Sequence, residues 1–86
     1  MSGKLDLAAR IERDAVKIAA KLAPGSIYTV GGLKRLLGAW RLSRYRSRHG
    51  ANAAGAVETI AEQLVESKHL EPARSGRFNT PRWRAL

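Results

Sequence analysis

The hydrophobic residues of the N-terminal third follow a helical period. They recur at intervals of three and four positions, which places them on one face of an α-helix: Leu7, Ile11, Ala15, Ile18 and Leu22. The basic residues Arg10, Lys17 and Lys21 fall on other sides and are predicted to be solvated surface. Pro24-Gly25 ends this first helix, because proline disfavours helical geometry in the residue before it and glycine readily turns the chain.

The next hydrophobic segment predicts a short strand followed by a second helix. Residues 27–30 (Ile-Tyr-Thr-Val) have strong β propensity, and the Thr29 hydroxyl is suited to cap a following helix. We expect that helix to run from Val30 to about Trp40, with Val30, Leu33 and Leu37 facing inward. Three glycines weaken it by about 1 kcal/mol each relative to alanine, so packing must hold it. The polar residues 41–50 are expected to form a loop or a frayed extension of this helix.

The clearest helical stripe lies further along the chain. It consists of Ala53, Val57, Ile60 and Leu64, with Asn52 as the expected cap and an end near Ser67. This stripe predicts a third helix.

The C-terminal residues predict a β-hairpin. An extended segment begins at Leu70, and Pro72 limits its pairing, so this strand should be short or lie at an edge. Residues 74–77 (Arg-Ser-Gly-Arg) supply turn chemistry. The alternation in 82–86 places Trp83 on the core side, with arginines on the other face. An isolated hairpin is only marginally stable, so we expect the 27–30 strand to join it.

The order helix, short strand, helix, helix, hairpin resembles the winged helix-turn-helix fold. The residues that carry the resemblance are Ile27–Leu36, the stripe Val57, Ile60 and Leu64, and the hairpin around Arg74–Arg77. More narrowly, the chain is similar to the winged-helix tails of phage and plasmid replication proteins of the helicase–primase type.

The resemblance implies a mainly α (α+β) domain over residues 5–86, after a flexible N-terminus at 1–4. It would contain three helices, a short strand after helix one and a C-terminal two-stranded wing. The chain departs from the pattern in the connection between helices two and three, which is about ten residues long rather than three or four.

Net charge makes nucleic acid, most of all duplex DNA, the expected partner. Sixteen Lys and Arg against seven Asp and Glu give +9, with a pI near 11.2, the signature of a domain that binds a polyanion. Residues 40–50 carry four arginines without an acid, and residues 72–86 carry four more. The segment between them has a net charge of −3. Two arginine clusters therefore flank one acidic segment.

The acidic segment changes which part of helix three is expected to approach DNA. In winged helices this helix enters the major groove. Here its outer face carries Glu58, Glu62 and Glu66 at four-residue spacing, which we call the Glu ridge. Phosphate groups repel such a ridge, so only the N-terminal turn with Asn52 is suited to contact DNA.

Most of the predicted contacts therefore come from the segment before helix three and from the wing. Arginine grips phosphate bidentately or reads guanine, tyrosine stacks on a base or donates to phosphate, and wing arginines suit the minor groove. The predicted DNA-binding residues are Lys34, Arg35, Arg41, Arg44, Tyr45, Arg46, Ser47, Arg48, His49, Asn52, Arg74, Ser75 and Arg77. Trp40, Trp83 and Phe78 are candidates for stacking on single strands, but we expect core packing for both tryptophans.

Catalysis has little support in the sequence. A chain of 86 residues has one modest core and little space for a water-free active site. It contains no cysteine, and His49 and His69 lack the spacing of a metal site or a catalytic triad. The glycines form no phosphate-binding loop. We expect a cytoplasmic protein that is not an enzyme and needs no cofactor or metal, in a bacterial, phage or plasmid context, nucleoid-associated when DNA-bound.

Three alternatives stay open at this stage. In the first alternative, the arginines of 41–48 pair with the Glu ridge instead of with DNA. In the second alternative, the Glu ridge itself docks on a basic protein or on a second copy of the chain, and the domain is an assembly module. In the third alternative, the basic residues bind structured RNA, because net charge alone does not distinguish RNA from DNA.

Overall fold

The computed structural model describes residues 6–50, 55–73 and 81–86. These residues form four helices and three strands: α1 (Leu7–Ala19), β1 (Ile27–Thr29), α2 (Val30–Leu37), α3 (Ala39–His49), α4 (Ala56–Glu66), β2 (Leu70–Pro72) and β3 (Arg82–Ala85). The predicted mainly helical α+β class is confirmed, but the described ranges contain four helices instead of three. The predicted flexible N-terminus lies outside them.

Helix α1 forms where the hydrophobic period predicts it. The Asp6 side chain caps it by accepting a hydrogen bond from the Ala9 backbone N–H at 2.7 Å. Ile11, Ala15 and Ile18 are buried, and α1 packs most extensively against α4. The helix ends at Ala19 rather than near residue 22, because the chain tightens there into a 3₁₀-type turn in which the Lys21 N–H donates to the Ile18 carbonyl at 2.8 Å.

Helix α2 is capped as predicted but ends earlier than predicted. The Thr29 hydroxyl accepts a hydrogen bond from the Gly32 N–H at 3.2 Å. The helix stops at Leu37 because Gly38 has φ 94°, a left-handed conformation that favours glycine. The prediction that α2 extends to about Trp40 is therefore wrong.

The prediction that residues 41–50 form a loop or a frayed extension of α2 is also wrong, because residues 41–49 belong to α3, a separate helix of 11 residues. Its composition conceals it: Leu42, Tyr45 and His49 turn inward together with Arg41, and Tyr45 is the one fully buried residue among them. Arginine is nevertheless a good helix former, and the arginines near the C-terminal end of α3 interact favourably with the helix dipole.

A buried polar cluster docks α3 onto α1. Asp14 of α1 is 0% exposed. Its Oδ2 accepts a hydrogen bond from the Tyr45 hydroxyl at 2.7 Å, and its Oδ1 accepts one from an Arg41 Nη atom at 2.9 Å. Arg10, predicted to be solvated, is 5% exposed; its Nε donates to His49 Nε2 at 3.2 Å, and its guanidinium lies 6.0 Å from the centre of the Tyr45 ring. The contact between α1 and α3 is thus polar, and its polar side chains are hydrogen-bonded to each other.

Helix α4 supplies the centre of the core. Val57, Ile60 and Leu64 are buried as predicted, at 0–4% exposure. The helix begins at Ala56, after Gly55 with φ 82°. The predicted cap Asn52 and the stripe position Ala53 lie outside the described residues.

The sheet covers the side of the core that the helices leave open. It is antiparallel with the order β1-β3-β2, so β1 pairs with the C-terminal hairpin as predicted. The strand that contains Pro72 lies at an edge, which satisfies the limit that proline places on pairing. Trp83 on the central strand is 8% exposed, which confirms its predicted core position.

Replacing Tyr45 with phenylalanine tests the Asp14 cluster. The change removes the hydroxyl donor and leaves Asp14 Oδ2 buried without it, so the free energy of unfolding should fall by about 1–3 kcal/mol in urea titrations. Tyr28→Phe is the matched control, because the Tyr28 hydroxyl accepts from the Ala23 N–H in an exposed position and its loss should cost less than about 1 kcal/mol. Equal losses for the two variants would contradict a special role for the cluster.

Candidate nucleic-acid interface

The outward side of α3 carries most of the predicted binding residues that reach solvent. Arg46, Ser47 and Arg48 are exposed, together with Ser43 and Trp40, and Arg44 is half-buried. We call these six residues the basic face of α3. Tyr45 and His49 lie on the inward side of the helix, so docking of that side leaves these six residues wholly or partly exposed to solvent.

The arginines of the basic face have no acidic partners among the residues that the structure describes. The ion pairs there join Asp14 to Arg13 and Arg41, and Glu71 to Arg84. Glu58, Glu62 and Glu66 are exposed, and none of them lies within 4.0 Å of a basic group in these ranges. The described part of the chain therefore gives no support to the alternative in which the arginines pair with the Glu ridge.

Three predicted binding residues on α3 have internal partners instead. Tyr45 is 2% exposed and donates to Asp14, so its predicted stacking or phosphate contact is wrong for this fold. Arg41 is half-buried and held by the same carboxylate. His49 is half-buried and accepts from Arg10. Side chains with these partners position the helix, whereas Arg46 and Arg48 remain exposed to solvent.

Helix α2 brings a second predicted group beside α3. Lys34 and Arg35 are both exposed. Lys34 and Arg46 line one surface depression together with Val30, Leu42 and Glu58. The structure thus brings Lys34 close to the basic face, and it places the first residue of the Glu ridge at the same depression. The predicted site residues Asn52, Arg74, Ser75 and Arg77, and also Phe78, lie outside the described residues.

Trp40 is the residue that sequence analysis placed wrongly. We expected it in the core, but it is 65% exposed on the basic face. The Arg44 guanidinium lies over its ring, 4.8 Å from the ring centre, and that of Arg41 lies 6.0 Å away. The expectation assumed that α2 continues to residue 40; the break at Gly38 starts a new helix and turns this side chain outward.

The burial of Arg10 and Asp14 was not predicted from the sequence. Their positions carried a signal, because they lie four residues apart and border the apolar stripe of Ile11, Ala15 and Ile18. A stripe this wide must meet more than one neighbouring helix. A buried acid and base on its border indicate a polar partner, which is α3.

Candidate metal-binding clusters and membrane-spanning helices are both absent from the described residues. They contain no group of three or more His, Asp or Glu side chains arranged to hold a metal. None of the described helices is long and apolar enough to span a bilayer.

Comparison with known proteins gave no match: no protein family, no characterised protein and no solved structure is significantly similar to this chain.

The buried Tyr45 predicts a pH dependence of stability. Burial, together with the hydrogen bond to Asp14, raises the pKa of Tyr45 well above its ordinary value. The folded state thus holds this proton more tightly than the unfolded chain. The stabilisation is complete below the ordinary tyrosine pKa of about 10 and is lost as the pH rises beyond it.

We expect the difference in unfolding free energy between the unmodified protein and the Tyr45→Phe variant to shrink above pH 10, with a slope of up to about 1.4 kcal/mol per pH unit. Urea titrations at increasing pH measure it. A difference that stays constant up to the pH at which both proteins unfold would mean that the Tyr45 hydroxyl titrates normally.

Proposed function

We propose that this chain is a non-enzymatic domain that binds duplex DNA through the basic face of α3. One observation carries the proposal: Arg44, Arg46 and Arg48 all reach solvent from one helix, and the described residues give none of them an acidic partner. Guanidinium groups in this arrangement suit a polyanion with regularly spaced phosphates. The net charge of +9 supports the same class of ligand.

The order of elements supports a winged-helix arrangement. A strand after the first helix pairs with the last strand, and the hairpin of β2 and β3 follows the last helix. Apart from the additional helix α3, this is the order that the resemblance to winged helices implies. In the proposed arrangement α2 and α4 correspond to the helix pair of such domains, and α3 occupies the long connection between them. The wing residues Arg74, Ser75 and Arg77 are proposed as a second anchor.

The proposed docking assigns the main phosphate contacts to α3 rather than to α4. The exposed Glu58, Glu62 and Glu66 would meet phosphate along most of α4, and repulsion there is unfavourable. Lys34, beside Arg46, extends the positive surface onto α2. Replication or transcription control is the kind of process that such a domain would serve.

Removing two arginines from the basic face should weaken DNA binding in a salt-dependent way. For Arg46→Ala/Arg48→Ala, the slope of log affinity against log salt concentration should flatten by roughly one unit per lost phosphate contact, because fewer counterions are released. Fluorescence anisotropy with a labelled random duplex, repeated between about 50 and 200 mM salt, measures that slope. Single-stranded DNA and duplex RNA are the competitors.

The matched control is Lys17→Ala/Lys21→Ala, which removes the same charge from α1 and from the turn that follows it. This control should lower affinity through net charge alone and leave the slope closer to that of the unmodified protein. An unchanged slope in the arginine variant would reject the assignment to α3. Better competition by duplex RNA would move the proposal to structured RNA.

The second candidate function is protein assembly through the Glu ridge. The observation in its favour is that all three glutamates are exposed, and that the described residues offer them no basic partner. Such a ridge suits a basic partner or the basic face of a second copy.

Replacing Glu58, Glu62 and Glu66 together with glutamine should abolish any self-association seen at low salt by analytical ultracentrifugation. Stability should change little, because the residues are exposed. Self-association that survives this substitution would count against the second candidate.

A further inference from the structure

We infer that Trp40 is a stacking platform for an unpaired nucleobase. The inference rests on the proposed function and names a feature that the preferred nucleic acid would carry: an unpaired base beside the phosphates that the arginines hold. It starts from the exposure of Trp40, which leaves 65% of a large aromatic residue open to solvent. The chain has only one other tryptophan, and Trp83 lies in the core.

The Trp40 ring is held in place by a series of contacts that begins in the core. Asp14 binds Arg41 at 2.9 Å, and the Arg41 guanidinium lies 6.0 Å from the centre of the Trp40 ring. Arg44 packs closer, at 4.8 Å. Cations at these distances attract the face of an indole. A ring restrained in this way loses less conformational entropy on binding than a freely rotating one.

The surroundings of Trp40 identify the ligand as a base attached to phosphate. An aromatic platform beside arginines is the combination that binds unpaired nucleotides, because the ring meets the base while guanidinium groups meet the backbone. Inside a continuous duplex both faces of every base are covered by its neighbours. Only an unpaired or extruded base offers a face to the Trp40 ring.

A lipid surface is less well matched to the same helix. Helices that lie in a membrane interface bury an apolar face built from several large residues. The other residues of the basic face are serines and arginines, so Trp40 would be the sole large apolar residue that α3 presents. An anionic vesicle is therefore the competing ligand to test.

The test uses three DNA duplexes of the same sequence. One is continuous, one contains a single bulged adenosine, and one contains an abasic nucleotide at the bulge. The two bulged duplexes have the same number of phosphates, so their affinities differ only through the base. We expect the adenosine bulge to bind roughly tenfold more tightly than the abasic bulge. This ratio should stay nearly constant with salt, while all three affinities fall, because stacking releases no counterions.

Tryptophan fluorescence reports the contact directly. The adenosine bulge should quench Trp40, and the signal that remains in Trp40→Phe, which comes from the buried Trp83, should not respond. Trp40→Phe keeps an aromatic face and should retain most of the preference for the adenosine bulge. Trp40→Leu should lose that preference, so that it binds the adenosine bulge and the abasic bulge equally. Val16→Ala trims another exposed apolar side chain on a different helix. It should change neither the preference for the adenosine bulge nor the quenching of Trp40.

Three results would overturn the inference. Equal binding of the adenosine and abasic bulges rejects stacking and leaves the proposed DNA binding intact. A preference that survives in Trp40→Leu assigns it to another residue. Quenching or a spectral shift with phosphatidylglycerol vesicles, without any response to the bulge, transfers Trp40 to a lipid surface. Failure of all three duplexes to bind would instead reject the proposed function itself.

Discussion

The hydrogen-bonded carboxylate of Asp14 is the interaction on which the rest of this structure depends. A carboxylate at 0% exposure loses its hydration, and this loss is tolerable only if donors replace the water. Tyr45 and Arg41 are those donors, and both belong to α3. The cluster therefore fixes the rotation of α3 about its axis, which an apolar contact of similar size would fix less strictly. A small domain with few large apolar residues on this helix gains specificity of docking from the polar pair.

The rotation of α3 in turn decides which arginines are available to a ligand. Arg41 points to the cluster, while Arg46 and Arg48 point away from it and Arg44 lies over Trp40. Arginines that are equivalent in the sequence thus have different roles in the fold. On the proposed function, the inner residues hold the helix and the outer residues hold phosphate, so a substitution at Arg41 would mix a loss of stability with a loss of binding. Variants of Arg46 and Arg48 separate the two effects.

The elements that follow a single hydrophobic period could be predicted from the sequence, and those held by polar contacts could not. The stripes of α1 and α4, the cap at Thr29 and the core position of Trp83 were all visible as patterns of apolar and capping residues. Helix α3 was hidden because its inward side consists largely of Tyr45, Arg41 and His49, which resemble a polar loop until Asp14 and Arg10 are seen as their partners. The misplacement of Trp40 followed from the same error. For the site, the exposed arginines could be predicted from composition, but their division into inner and outer groups required the rotation of the helix.

The Glu ridge gives the proposed binding mode an orientation as well as a strength. Affinity for DNA from net charge alone would allow many poses, because every positive side of the domain attracts phosphate. Glu58 lies at the same depression as Arg46 and Lys34, so positive surface changes to negative over the width of that depression. A duplex that slides from α3 towards α4 meets repulsion at this boundary. Repulsion of wrong poses is one way in which an interface becomes specific. The acidic segment, which argues against α4 as the main contact, is therefore the feature that would hold the duplex on α3 and keep Trp40 beside its backbone.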